Sequence, residues 1–430
     1  MLAGISAGVA TLPTFPSRGL AGRFVRGNGW GVVRKIWLLM LGAFTLGLDA
    51  YVMAGLLPVV AADLGTSVSL AGQMVTVFTL AYAVSAPLVA GMASGVRPRV
   101  LIIGALGVFT LGNAMTALAP GLGVLLLSRA VAGVGAGVYS ALSTAAAAAL
   151  VPGERRGRAL ALVMGGMSSG TVLGVPLGVL LAEQAGWRAT MWGVTVLGVV
   201  ALAGLAGWLP TVPADPPVPA RARLAALTDR GVVPVVGVSF LGAIASLGLY
   251  TYLAPVLDAA GGVGEGGVAP YLWAWGIGGV IGSVAAGPLV DRTGRVVALV
   301  GGLMAALVVA VGTLPLLGAA AFPALVVWGA AGWALQVPQQ HRLLALRAER
   351  GSVALALNNS ALYLGSAVGS GLAGLALSAG LPADRLPWAA AAVAAAGLLL
   401  HGATGARARY GRSRCPDPAG VGTLGCHEHS

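Results

Sequence analysis

Charge is scarce in this sequence. Asp, Glu, Lys and Arg make up 9% of 430 residues, and mean hydropathy is +0.90, whereas soluble domains carry about 25% charged residues. A soluble globular chain is thereby excluded. Cysteine is nearly absent: Cys415 and Cys426 both fall in the last 16 residues, so no disulfide framework holds the hydrophobic body together. No G-x-x-x-x-G-K-[ST] loop is present, which argues against direct nucleotide drive. The hydrophobic body also lacks the cluster of His, Asp, Glu or Cys at one membrane face that a polytopic enzyme or sensor would need. The tail group Cys415, Cys426, His427 and His429 matches no usual zinc spacing. No metal, cofactor or enzymatic activity is therefore expected.

What is present is length in apolar runs. Crossing about 30 Å of hydrocarbon takes about 20 residues, and runs of that kind recur near 36–60, 70–92, 100–119, 122–150, 159–181 and 189–209. A second series lies near 233–257, 268–290, 296–317, 322–341, 353–379 and 387–405. The pattern predicts an all-α membrane protein with twelve transmembrane helices in two pseudo-symmetric six-helix bundles, 35–209 and 233–405. Residues 1–34 are expected as a disordered lead, 210–232 as a Pro-rich linker and 406–430 as a disordered tail.

The 24 arginines and the lone Lys35 follow this threading. With the N-terminus inside, 22 of the 25 basic residues fall in the lead, the inner loops and the tail, while Arg188 and Arg385 fall outside. The positive-inside rule then places both termini in the cytoplasm. The high pI reports topology, so nucleic acid is not an expected partner. Arginine, alanine, glycine and proline also share GC-rich codons, which suits a high-GC bacterial genome, so the expected location is the bacterial inner (cell) membrane. Nothing in the sequence demands a second copy of the chain, and a monomer is expected.

The two halves echo each other. Ala86-Pro87-Leu88-Val89 matches Gly287-Pro288-Leu289-Val290, and Gly47-Leu48-Asp49-Ala50-Tyr51 matches Gly248-Leu249-Tyr250-Thr251-Tyr252, both at one offset. Internal duplication is the plan of transporters whose site lies between two repeats.

Of 13 acids, only Asp49 sits at bilayer depth, and Arg129 is the base at comparable depth. An ionised aspartate there costs about 2.5–3.5 kcal/mol on the lenient scale, so it marks function by default. Desolvation favours the neutral acid and a nearby guanidinium the charged one, so Asp49 can take up or release a proton according to what approaches it. The two are expected to share a cavity in the outer half of the first bundle. The competing reading is a fixed structural ion pair.

Tyr51, Met53, Gln73 and Tyr82 from the first half, with Tyr250, Tyr252, Trp273, Trp275, Gln336, Asn358, Asn359 and Tyr363 from the second, are the candidate substrate lining. Aromatic and amide groups in an apolar cavity suit an amphiphilic small molecule. Trp187, beside Arg188, reads as an outer-interface anchor, and His341 as a surface histidine. Gly166, Gly170, Gly174 and Gly178 recur every four residues, as do Gly365, Gly369 and Ala373. Such stripes let helices approach closely, and with Pro176 they predict an interface along which the bundles slide, the competing reading being simple tight packing. Asp291, Arg292 and Arg295 are expected to form a loop latch, the acid pairing with the arginines or meeting a helix N-terminus.

Several segments resemble the major facilitator superfamily across about 36–405. Gly287 through Arg295 fits the loop signature G-x-L-x-D-R-x-G-R, and Arg129, Gly133, Gly135 and Ala136 fit R-x-x-x-G-x-G-A, with Ala132 where a glutamine is frequent. Gly170 through Gly178, with Val175 before Pro176, resembles the antiporter signature of the fifth helix. The first-half loop copy carries Ala90 and Gly91 in place of Asp291 and Arg292, so the loop role is carried to the second copy alone. The resemblance is to the drug:proton antiporter branch with chloramphenicol exporters and arabinose-exporter-like permeases. It implies a secondary active exporter of a drug-like, phenicol-type molecule with protons as coupling ion. A sugar or metabolite exporter is the alternative.

Overall fold

The computed structural model describes residues 29–92, 96–152, 156–212, 228–261, 267–346 and 351–413. All regular structure among them is helical, and eleven helices are long and apolar enough to cross a membrane. In the first half these are α1 (Gly29–Asp63), α2 (Val68–Met92), α3 (Pro98–Ala117), α4 (Leu122–Ala149), α5 (156–185) and α6 (Trp187–Trp208). The second half contains α7 (232–259), α8 (Ala269–Thr293), α9 (Val296–Leu317), α10 (322–346), α11 (Gly351–Ser378) and α12 (Leu386–Ser413). The twelfth span is α10: a turn at Leu335 divides it into Phe322–Ala334 and Gln336–Leu346, each too short to qualify alone.

Local chemistry sets the ends of these helices. Proline occupies the first turn of α3, α8 and α10, where its missing N–H costs nothing. Gly186 alone joins α5 to α6 at φ +82°, a conformation that favours glycine. Gly294 (φ +58°) ends α8, its N–H donating to the Val290 carbonyl.

The duplication is visible in the packing. In the first half α1 packs on α5 and α6, α2 on α4, and α3 on α4 and α6; adding six to each number gives the contacts of the second half. Between halves α2 meets α11, α5 meets α8, and α1 meets α7, the same relation again. Pro87 and Pro288, equivalent by repeat, both lie inside their helices, α2 and α8.

Several expected boundaries shift. Helix α1 starts at Gly29 rather than after a lead ending at 34, and α12 runs to Ser413, so 406–413 are helical. The rest of the lead (1–28), 213–227 of the linker and 414–430 of the tail, with Cys415, Cys426, His427 and His429, lie outside the described residues. Two spans expected as plain helices are not plain. Helix α5 contains a π-helical turn at Gly170–Gly174, and α7 contains one at Ile244–Gly248 before breaking at Tyr252 (φ −108°, ψ 23°). Such turns insert a residue and redirect the side chains beyond them.

Candidate functional site

The ion pair is built by glycine. On α4, a Cβ at Gly133, Gly135 or Gly137 would lie 2.3 Å from Phe78 O, Phe109 N or Ser85 Oγ, so this face lies directly against α2 and α3. Close approach drives Arg129, one turn earlier, into the bundle. The α1 helix is seated in the same way: a Cβ at Gly47 would be 2.0 Å from Met167 O of α5. Two residues on, Asp49 then faces α4.

Arg129 Nη1 donates to Asp49 Oδ1 at 2.7 Å, and the side chains are 1% and 0% exposed. The same Nη1 donates to Asn113 Oδ1 of α3 at 3.3 Å, while Asn113 Nδ2 donates to Phe109 O. The guanidinium carbon stands 4.3 Å from the ring centroid of Phe78 in α2. Asp49 Oδ2 and Arg129 Nε have no protein partner. Four helices thus supply one acid, one base, one amide and one ring face. Asn113 and Phe78 escaped sequence reading because a lone Asn or Phe in an apolar run carries no periodic signal.

Asp49 and Arg129 are buried together within the first half. The cavity of about 320 Å³ lies between the two halves, and its wall includes Tyr51 but neither Asp49 nor Arg129. Two positions along a helix turn the side chain by about 200°, so Tyr51 faces the second half while Asp49 faces α4.

Met164, Ser239, Ser283, Gln340 and Asn359 line the cavity, each on the part of its helix nearest the arginine-rich face, and Met164 is 48% exposed. The cavity therefore opens toward that face. At its blind end Tyr51 joins an aromatic cluster, with ring centroids 5.7 Å from Tyr250, 5.8 Å from Trp275 and 6.1 Å from Trp333. The opposite face is closed by a seam of α2 against α11. Ser69 Oγ donates to Gly374 O at 2.5 Å, Thr76 and Ser370 hydroxyls meet at 2.9 Å, and the Tyr82 and Tyr363 rings stack at 3.6 Å.

Of the expected lining, Tyr51, Trp275, Gln336, Asn359 and Tyr363 line the cavity. Asn358 is buried behind it, donating from Nδ2 to Gln336 Oε1 at 3.4 Å, and Tyr250 and Tyr82 back Trp275 and Tyr363. Four positions are corrected. Met53 is fully buried in the core, and Trp273 is 43% exposed on the outside of α8. Gln73 and Tyr252 belong to the seam, both within reach of the Ser69 carbonyl. Trp333 and Ser246 line the cavity unannounced by the sequence. Ser246 accepts from the Trp328 indole at 2.7 Å.

Other expectations are also corrected. The stripe Gly166, Gly170, Gly174 and Gly178 packs on Met40, Phe44, Leu48 and Val52 of α1 in its own half. Gly365 and Gly369 likewise pack on α7. These stripes do not form the interface between bundles, where the closest glycine approaches are Gly72 to Tyr252, Gly374 to Gln73 and Gly55 to Leu272. Pro176 lies buried just after the π turn of α5. Asp291, Arg292 and Arg295 are all exposed, and the ion pairs among the described residues are Asp49–Arg129 and Asp63–Arg188, so the expected pairing of Asp291 is not formed. Trp187 is 2% exposed, donating to Asp63 Oδ2 at 3.1 Å, and is a packed clamp rather than an interface anchor. His341 is exposed. The buried His401, unremarked in the sequence, joins Arg342 at 3.1 Å and the Val297 carbonyl at 2.8 Å.

The sequence profile of the Major Facilitator Superfamily matches residues 39–370. The inner membrane transport protein YdhP of Escherichia coli K12 is 33% identical over 84% of this chain and 93% of its own. A chloramphenicol resistance protein of Streptomyces lividans is 34% identical over 63% of this chain and 70% of its own. Among solved structures, a D-xylose-proton symporter superposes with TM-score 0.69 at 19% identity, covering 86% of this chain and 97% of that one. That last likeness concerns the fold.

Proposed function

This chain belongs to the major facilitator superfamily and is a multi-pass membrane transporter, and we propose that it exports an amphiphilic small molecule in exchange for protons. The observation that carries the reading is the buried Asp49–Arg129 pair, one helix face away from the cavity. While Asp49 is ionised the pair is neutral. A proton on Asp49 leaves an uncompensated guanidinium held by Asn113 and the Phe78 ring. Leaving one partner of a buried pair alone costs about 3–5 kcal/mol, enough to shift the balance between two arrangements of the halves. Because Asp49 and Tyr51 share α1, a change at the pair is felt at the cavity wall.

The arginine-rich face is read as cytoplasmic, which puts both termini in the cytoplasm of a bacterial cell and makes the cavity inward-open. In the outward step the α2–α11 seam separates. Its stack and hydroxyl contacts contribute about 0.5–1.5 kcal/mol each, suited to reversible opening. Glycines 170, 174 and 178 with Pro176 hold α5 to α1, so that the two move together with the pair. Asp291, Arg292 and Arg295 are placed to latch the outward-open state, in which partners absent here come within reach. One chain completes both pair and cavity, so the working unit is a monomer. The relative named for chloramphenicol resistance supports a phenicol-type cargo.

Transport into inside-out vesicles under an imposed pH gradient tests this, with a panel of phenicols as cargo. Wild type is expected to accumulate a phenicol only with the gradient, and Asp49→Asn to lose that dependence. Gradient-driven accumulation by the variant would sink the assignment. Lowered internal pentose in expressing cells, with no drug protection, would favour sugar export.

A further inference from the structure

We infer that the cavity between the halves selects an uncharged molecule whose acceptor oxygens are read by the indole N–H of Trp275 and the side-chain N–H of Gln336. The inference rests on the cavity being the substrate site of the transporter and adds what that substrate must be.

The first observation concerns charge. Among the described residues, the cavity wall contains no Asp, Glu, Lys, Arg or His. The neighbouring acid and base neutralise each other inside the first half and do not reach the wall. An ion entering would give up most of its hydration and find no counter-charge. The ring faces of Tyr51, Trp275 and Trp333 attract cations, but only weakly compared with the loss of hydration. An anion would meet the same ring faces and be repelled by them.

The second observation concerns unpaired donors. Trp275 is 1% exposed and lines the cavity, and its Nε1, itself buried, has no acceptor among the described residues. This is not a property of every tryptophan in the cluster, since the Trp328 indole is committed to Ser246. A buried donor without an acceptor is costly, and a bound molecule with an acceptor oxygen removes that cost. Gln336 repeats the pattern. It lines the cavity, its Oε1 accepts from Asn358 Nδ2 at 3.4 Å, and its Nε2 has no acceptor among the described residues. These two donors ask for carbonyl, nitro or sulfonyl oxygens on a flat apolar body able to lie against the rings.

The test is equilibrium binding to the purified full-length chain in lipid nanodiscs at one pH, read by the emission of three dansyl probes. Dansylamide is neutral with sulfonyl oxygens, dansylcadaverine is a cation and dansylglycine an anion. Dansylamide is expected to bind at least about tenfold more tightly than either charged probe. Trp275→Phe keeps the ring and removes the donor, and is expected to weaken dansylamide binding about two- to tenfold. Trp273→Phe, outside the bundle, is expected to leave it unchanged. Gln336→Leu gives a second reading at the other donor, with a loss of similar size, should Trp275→Phe fail to fold. A charged probe binding as tightly as dansylamide, no binding of dansylamide at all, or wild-type affinity in both donor variants would overturn the inference. Because no gradient is applied, proton coupling can fail in vesicles while this selectivity stands, and the reverse.

Discussion

Tyr82 of α2 and Tyr363 of α11 stack with ring centroids 3.6 Å apart and planes 23° apart, one residue from each half of the molecule. Tyr363 lines the cavity while Tyr82 does not, so the stack marks where the cavity ends and the closed seam begins. From there the helices run antiparallel through Thr76–Ser370 to Ser69–Gly374. Alternating access requires this line to part.

Cross-linking the seam is expected to stop transport. In a chain with Cys415 and Cys426 replaced by serine, the double change Thr76→Cys with Ser370→Cys puts two thiols where hydroxyls now lie 2.9 Å apart, close enough for a disulfide. Oxidation should reduce vesicle transport by more than about tenfold, and dithiothreitol should restore it. Full transport by the oxidised protein, with the cross-link verified by mass, would mean that the seam never opens.

The buried pair is expected to couple strongly. Asp49→Leu or Arg129→Met alone strands one charge at a site that is 0–1% exposed, costing about 3–5 kcal/mol of stability. The double variant removes both charges and should recover most of that loss in thermal unfolding, while transport loses its dependence on the pH gradient. Additive losses in the double variant would show that the two charges do not depend on one another.

Asn113 is expected to act on turnover rather than on substrate affinity. It accepts from Arg129 and is fully buried away from the cavity wall. A hydrogen bond to a charged group is worth about 1.5–3 kcal/mol. Asn113→Ala should lower the maximal transport rate by about tenfold or more and leave KM within about twofold. A rise in KM with unchanged maximal rate would contradict a role behind the ion pair.

Glycine contacts within the first half are expected to be selective for position. At Gly170 a Cβ would stand 2.1 Å from the Phe44 carbonyl, whereas at Gly165 nothing lies within 4 Å. Gly170→Ala should therefore cost about 1–3 kcal/mol in unfolding measurements, and Gly165→Ala should be neutral or slightly stabilising. Equal effects at the two positions would show that α1 and α5 are not held at the distance seen here.

Much of this organisation was legible in the residues because a membrane constrains a chain along one dimension. Run length gave the spans, arginine placement the common face and repeated phrases the six-helix shift that the packing follows. Asp49 and Arg129 stood out because charge in hydrocarbon is rare. Asn113, Phe78 and Trp333 did not, since a polar amide or an aromatic ring is ordinary in such helices. The glycine stripes were legible as close contacts, yet a stripe does not name its partner, and those of α5 and α11 turned out to face α1 and α7 within their own halves. The breaks at Tyr252 and Leu335 carry no proline or glycine signal at the break itself.

The sequence by itself determined that this chain is a duplicated twelve-helix membrane protein with one acid and one base at depth, because hydrophobic length and charge cost act on each segment separately. Only the tertiary structure decided that Asp49 and Arg129 touch and are sealed from the cavity, and that Tyr51 belongs to the second half's aromatic cluster. It also decided that Trp275 keeps an unpaired donor. These facts depend on helix rotation and close packing between segments distant in the chain, which no local pattern encodes.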